Sequence, residues 1–173
     1  ASDVYKRQAD RFAVAPEQLI FTSGATESVH LAILGSATTL SPGRIVLSGV
    51  EHPAVLAAAD QLKNKGWTVA FWPVDATGVI RLEFLDELLA APTRMVSLIA
   101  AQSEVGALQP IAKVGRVCRA HGIRFHSDAT QFIPQGCPEF NGFQADSVSL
   151  SAHKFQGPRG VGLLIRDSSV PIT

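Results

Sequence analysis

From Leu19 onward, short runs of β-branched and apolar residues alternate with stretches whose apolar positions recur at helical spacing. This alternation predicts an α/β domain built on a largely parallel sheet. Leu19-Ile20-Phe21-Thr22 reads as a strand. Residues 25–37 then read as a helix, with Val29, Ala32 and Ile33 on one face and Glu27 where a helix N-terminus favours an acid. A second strand is expected over 44–48, a second helix over 53–65 with Pro53 in its first turn, and a third strand over 67–72 after the helix stop at Gly66. Pro73 and Gly78 bracket an irregular connection over 74–80, and residues 82–89 return to helical spacing. A buried strand over 95–100, a helix over 110–121 stopped by Gly122, and a strand over 123–126 follow. The last two strands, 147–150 and 161–165, flank a polar, glycine-rich segment too long for a simple hairpin, so that connection calls for a functional explanation.

The apolar share of 46% and the charged share of 17% are those of a globular chain, and 173 residues suffice for one hydrophobic core without disulfides. No internal repeat, low-complexity tract or linker divides it. Fifteen basic and fifteen acidic residues cancel and no cationic cluster stands out, which removes the electrostatic footprint of a nucleic-acid binder and points to a small-molecule ligand. No apolar run has the length of a membrane helix, and no targeting signal is legible. Cys118 and Cys137 lack the spacing of a disulfide scaffold or metal site, so the expected location is the cytoplasm. Residues 1–8 are set aside as extra or non-native, because residues 3–8 resemble translated sequencing-adapter DNA; the expected domain covers 9–173.

Four segments carry candidate chemistry. Ser23-Gly24-Ala25-Thr26-Glu27-Ser28 joins a strand to a helix, and its small residues leave amides and hydroxyls around the helix N-terminus, either as a cap or as a phosphate seat. It is neither a Walker loop nor a dinucleotide fingerprint. Asp128, in His126-Ser127-Asp128-Ala129-Thr130-Gln131, falls at the carboxyl edge of the sheet, where it could cap a helix or keep a pyridine nitrogen protonated. Lys154, in Ser151-Ala152-His153-Lys154, reads alone as a solvated cation, but Ser151 and His153 beside it can bond a phosphate while the lysine attacks an aldehyde. Glu51-His52-Pro53 places an imidazole where it is either a turn residue or a group stacked on a flat ring.

In this order, Phe-Thr-Ser-Gly-Ala-Thr-Glu-Ser (21–28), Glu-His-Pro-Ala-Val (51–55), Ser-Glu-Val-Gly (103–106), Asp-Ala-Thr-Gln (128–131), Ser-Ala-His-Lys (151–154) and Gly-Pro-Arg-Gly-Val-Gly (157–162) resemble the cysteine desulfurases, class-V aminotransferase relatives that use pyridoxal 5′-phosphate (PLP). The resemblance runs from about Ala9 to about Ile165 and implies the large domain of a fold-type I PLP enzyme, cut at both ends. It implies that Lys154 binds PLP covalently, Asp128 pairs with the ring nitrogen, Gln131 bonds the ring oxygen, His52 stacks on the ring and helps move protons, and Ala25, Thr26, Ser151 and His153 hold the phosphate.

The implied whole protein converts L-cysteine to L-alanine and passes the sulfur, as a persulfide on an enzyme thiol, to an acceptor protein such as one serving iron–sulfur cluster assembly. It is expected to be a homodimer, with no nucleic-acid, membrane or metal partner. Two departures stand out: Ser103 occupies a position where the family commonly has an Asn that contacts the ring oxygen, and neither Cys118 nor Cys137 can replace the sulfur-accepting cysteine. The alternatives are another class-V enzyme, such as a selenocysteine lyase or an aminotransferase, and a non-catalytic α/β scaffold.

Overall fold

Seven segments pair into one sheet, the inner ones buried on both faces: β1 (Leu19–Thr22), β2 (Arg44–Ser48), β3 (Thr68–Trp72), β4 (Thr93–Ile99), β5 (Arg124–Asp128), β6 (Ser147–Ser151) and β7 (Gly162–Arg166). The structure is a computed structural model that describes residues 2–104, 106–133, 136 and 138–172, without the side chains of Ser2 and Phe155. The strands stand in the order β1-β7-β6-β5-β4-β2-β3. Pairing is parallel from β3 through β2, β4 and β5 to β6, whereas β7 runs antiparallel to both β6 and β1. The polar connection of residues 152–161 therefore does close an antiparallel pair, although it is no tight turn.

Helices cover both faces, as the two-fold alternation of side chains along each strand requires. Helix α2 (Ala25–His30) widens into a π turn over Leu31–Gly35, and with α3 (Pro53–Lys63) it covers one face, where Val29 and Ile33 meet Ile45, Leu47 and Met95. On the other face α4 (Leu85–Leu89) and α5 (Ile111–Ala120) pack over Val46, Val96, Leu98 and Phe125. Gly115 of α5 is the point of closest approach there: a Cβ would stand 2.2 Å from the carbonyl oxygen of Gln144, so a larger residue would force helix and loop apart.

Two helices lie outside the pattern expected from the sequence. Helix α1 (Ser2–Phe12) takes in residues 3–8 and packs through Tyr5, set edge-on to Phe21 at 4.6 Å between ring centres, and through buried Ala9 and Phe12. Helix α6 (Phe140–Phe143) is a single turn and offers too short a window for periodicity to register, although it buries both phenylalanines. Among the described residues no helix is long and apolar enough to cross a membrane.

Candidate active site

The chain leaves β2 for β3 on one side and then crosses back to place β4 on the other, so the strand order reverses between β2 and β4. In open α/β sheets ligands bind at the carboxyl ends of the strands near such a reversal. The parallel strands β2, β4, β5 and β6 end at one edge, and β1, antiparallel to β7 and so codirectional with β6, ends there too. A cavity of about 810 Å³ opens at this edge. Ala25, Thr26, His52, Asp128, Gln131, Ser151, His153 and Lys154, drawn from four separate connections, all line it.

The turn between β1 and α2 is held from beneath. Thr22 Oγ1 lies 2.8 Å from Ser28 Oγ, and the Glu27 carboxylate accepts the Ser23 amide at 2.6 Å and the Ser23 hydroxyl at 2.7 Å, which holds the Glu27 carboxyl below its ordinary range. The first N–H groups of a helix have no partner within it, and here that end, through Gly24, Ala25 and Thr26, faces the cavity. Gly162 makes the turn's position feasible. A Cβ on it would stand 2.5 Å from the carbonyl carbon of Gly24 and 2.5 Å from Thr22 Oγ1, so only glycine lets β7 pass this close under the turn.

After β2, the His52 ring caps α3: its Nδ1 accepts the Ala54 amide at 3.1 Å, which leaves Nε2 to carry the proton in the neutral ring. Neighbouring Glu51 is buried at 9% exposure and also lines the cavity. One of its oxygens accepts the Ser48 hydroxyl and the Ile99 amide, whereas the other has no partner. Burial drives its carboxyl up to about 8 against those two hydrogen bonds, and the negative charge of Asp128 pushes the same way. Glu51 is therefore neutral at pH 7.

Asp128 closes β5 and is buried at 4% exposure. Its Oδ1 accepts the Thr130 amide at 3.0 Å and the Ser149 hydroxyl at 3.3 Å. His126, on the same face of β5, lies wholly inside the protein, with Nδ1 at 3.0 Å from Ser147 Oγ and Nε2 at 3.3 Å from Ser149 Oγ. Burial pulls its imidazole down to about 4, although the Asp128 charge acts the other way.

Beyond β6 the chain makes a short 3₁₀ turn over Ala152–Phe155 that brings His153 and Lys154 to the cavity, with the Ser151 hydroxyl 2.7 Å from His153 Nδ1. The turn closes against Gly157, where a Cβ would meet Ala152 at 2.8 Å. Ser103, Glu104 and Arg159 complete the wall; Val105 of the same motif and Cys137 lie outside the described residues. Cys118 is buried in α5, and burial pushes its thiol up to about 12, so it supplies no thiolate at neutral pH.

The sequence reading passed over Glu51, His126 and Ser149 as functional residues. The signal for the last two was available: each stands two residues before a chosen strand-end residue, Asp128 or Ser151, and so shares its face of the strand.

A mostly parallel sheet with helices on both faces, with a lysine, a buried aspartate and a hydroxyl-rich helix start on one cavity, is an α/β domain of the fold-type I class. The family model for class-V aminotransferases matches residues 4–170, and the chain belongs to that family. It is similar to the mitochondrial cysteine desulfurase of Eremothecium gossypii, with 39% identity over 92% of this chain and 33% of that protein. Among solved structures, a NifS-like protein superposes with a TM-score of 0.92 at 36% identity over 98% of this chain and 48% of the other. SspA, solved in complex with cysteine, superposes with a TM-score of 0.87 at 32% identity over 94% and 47%. The chain thus spans a third of the curated relative and about half of the solved chains.

Proposed function

We propose that this chain is the cofactor-binding part of a PLP-dependent cysteine desulfurase, and the observation that carries the reading is the convergence of Lys154, Asp128 and residues 23–26 on one cavity. The residues present fit PLP. The cavity volume falls within the ~300–1,000 Å³ usual for small-molecule sites. A helix start with two flanking hydroxyls suits a dianionic phosphate, a buried carboxylate suits a protonated ring nitrogen, and the unpartnered Thr130 Oγ1 stands in the cavity wall awaiting a polar neighbour.

When bound, the cofactor supplies an electron sink for the bond electrons released at the substrate's α-carbon. The protein does the rest. The amides of residues 24–26, with Thr26, Ser151 and His153, hold the phosphate; Asp128 holds the proton on the ring nitrogen; Gln131 bonds the ring oxygen. His52 stacks on the ring and passes a proton through Nε2. Lys154 would anchor the cofactor covalently and move the α-proton as a general base. In the whole protein, a thiolate attacks the sulfur of L-cysteine, its carbon–sulfur bond breaks with the electron pair passing to the β-carbon, which takes a proton, and L-alanine leaves as the enzyme holds a persulfide. Cys118, buried and protonated, does not supply that thiolate. Homodimer assembly, a cytoplasmic site of action and sulfur delivery to an acceptor protein, iron–sulfur cluster assembly included, belong to the same proposal.

The test is to load the full-length protein with PLP, trap the covalent adduct with borohydride, digest and locate the pyridoxyl group by mass spectrometry. The label is expected on the Lys154 peptide and lost in Lys154→Ala. A label on Lys113 or another lysine overturns the assignment, and a folded protein that takes no label favours the non-catalytic scaffold.

A further inference from the structure

The parallel pairing of β5 with β6 sets His126 beside Ser147 and Asp128 beside Ser149, and the two-residue period of a strand puts all four on one face of the sheet. All four are buried, on the side covered by α2 and its π turn. A polar quartet so deep persists only if its donors and acceptors match.

Counting protons fixes the direction of the bonds. A carboxylate can only accept, so the Ser149 hydroxyl spends its single proton on Asp128 Oδ1, at 3.3 Å. Its oxygen can then only accept from His126 Nε2, also at 3.3 Å, and the imidazole proton must sit on Nε2. Burial keeps the ring neutral, so Nδ1 is bare and accepts the Ser147 hydroxyl at 3.0 Å. The neutral ring thus carries its single proton on Nε2, the one tautomer that serves both serines at once.

We propose that Ser147, His126 and Ser149 form a one-way hydrogen-bond relay that ends on Asp128 and positions its carboxylate toward the cavity. His126 and Ser149 are positioning residues, since they reach the cavity only through Asp128. Every donor in the chain points to the carboxylate. Replacing Ser147 or His126 with an apolar group leaves Ser149 free to turn, and replacing Ser149 leaves Asp128 Oδ1 with the Thr130 amide as its remaining donor. The functional part of this inference rests on the proposed role of Asp128 at the ring nitrogen; the tautomer does not.

The experiment uses full-length protein with ¹⁵N-labelled histidine, read by NMR first without cofactor and then with ring-¹⁵N PLP. In the cofactor-free protein His126 is expected as the neutral Nε2–H tautomer; Ser149→Ala should mix the tautomers and Ser149→Thr should restore the single one. A His126 found as the Nδ1–H tautomer or as imidazolium overturns the relay. With PLP, Ser149→Ala is expected to move the ring-nitrogen signal toward the unprotonated form and to lower kcat about tenfold with KM little changed, in line with loss of a hydrogen bond to a charged group. A ring-nitrogen signal unchanged in Ser149→Ala, with its tautomers mixed, overturns the positioning role. Full-length protein that rejects PLP while His126 keeps the Nε2–H tautomer refutes the proposed function and leaves the relay standing.

Discussion

The carboxyl of Glu51, just past the end of β2, accepts the backbone N–H of Ile99, the last residue of β4, at 2.8 Å. The same oxygen takes the hydroxyl of fully buried Ser48. This one side chain ties together the two strands between which the strand order reverses, and it holds the turn that carries His52. Glu51→Ala leaves two buried donors without an acceptor and is expected to cost about 1–3 kcal/mol, read as a lower urea midpoint at unchanged slope. Glu51→Gln keeps the accepting oxygen and should stay within about 1 kcal/mol of the parent. An alanine variant as stable as the parent would show that the tie carries no load.

Because burial holds Glu51 protonated up to about 8, folding takes up a proton between the ordinary carboxyl range near ~4.3 and that value. Stability from this group is complete at the acid end of that window and is lost as pH rises through it. His126, pulled down to about 4 from an ordinary ~6.5, acts in the opposite sense below pH ~6.5, where the unfolded chain binds the extra proton. The two offset each other in mild acid. From about pH 6.5 to about pH 8 Glu51 is left alone, and stability should fall with a limiting slope of about 1.4 kcal/mol per pH unit. Above pH ~8.5 Cys118, pushed up to about 12, extends the decline. Urea midpoints measured across this range should show a fall between pH ~6.5 and ~8 that Glu51→Gln removes.

Much of this was legible in the sequence because it is written locally. Most strands carry an apolar run, and each site motif sits at or just past a strand end, so the position of Asp128, Lys154 and residues 23–26 at one sheet edge could be argued from the alternation of strands and helices. The antiparallel placement of β7 beside β1 could not. It depends on pairing between residues far apart in the chain, Thr22 with Gly162, which leaves no periodic trace. Glu51 escaped notice as a functional residue for a related reason: its raised proton affinity comes from burial, with the Asp128 charge adding to it, and only the folded sheet buries it beside Asp128. Helix α1 went unread because residues 3–8 were set aside by resemblance to adapter sequence, whereas its Tyr5, Ala9 and Phe12 share one helical face.

Gly162 and Gly24 make a matched test of how the phosphate-facing turn is supported. A methyl group on Gly162 would collide with the Gly24 backbone, which cannot swing away like a side chain, whereas one on Gly24 meets nothing within 4 Å. Gly162→Ala is expected to cost about 1–3 kcal/mol and to weaken retention of PLP by the full-length protein, because the turn must shift to make room. Gly24→Ala should change stability by less than about 0.5 kcal/mol. Urea unfolding separates the two variants, and equal stability would mean that β7 and the turn do not pack as closely as the structure places them.

Ser103 offers the last test, since it stands in the cavity wall at a position where the resembling family commonly has Asn. Its hydroxyl is one bond from Cβ and has a short reach, whereas an Asn amide extends further and can donate to the ring oxygen as well as accept. On the proposed PLP reading, Ser103→Asn adds one neutral hydrogen bond, worth about 0.5–1.5 kcal/mol, and should slow cofactor loss from the full-length protein about two- to tenfold. Ser103→Ala should leave that rate unchanged, because the hydroxyl makes no contact to lose. The measurement is the decay of cofactor absorbance in the presence of an aldehyde scavenger. Slower loss in Ser103→Asn with no change in Ser103→Ala would show that an amide at this position reaches the cofactor where the serine hydroxyl does not. Equal rates in all three proteins would mean that the ring oxygen is already held, with Gln131 on the opposite connection as the side chain to replace next.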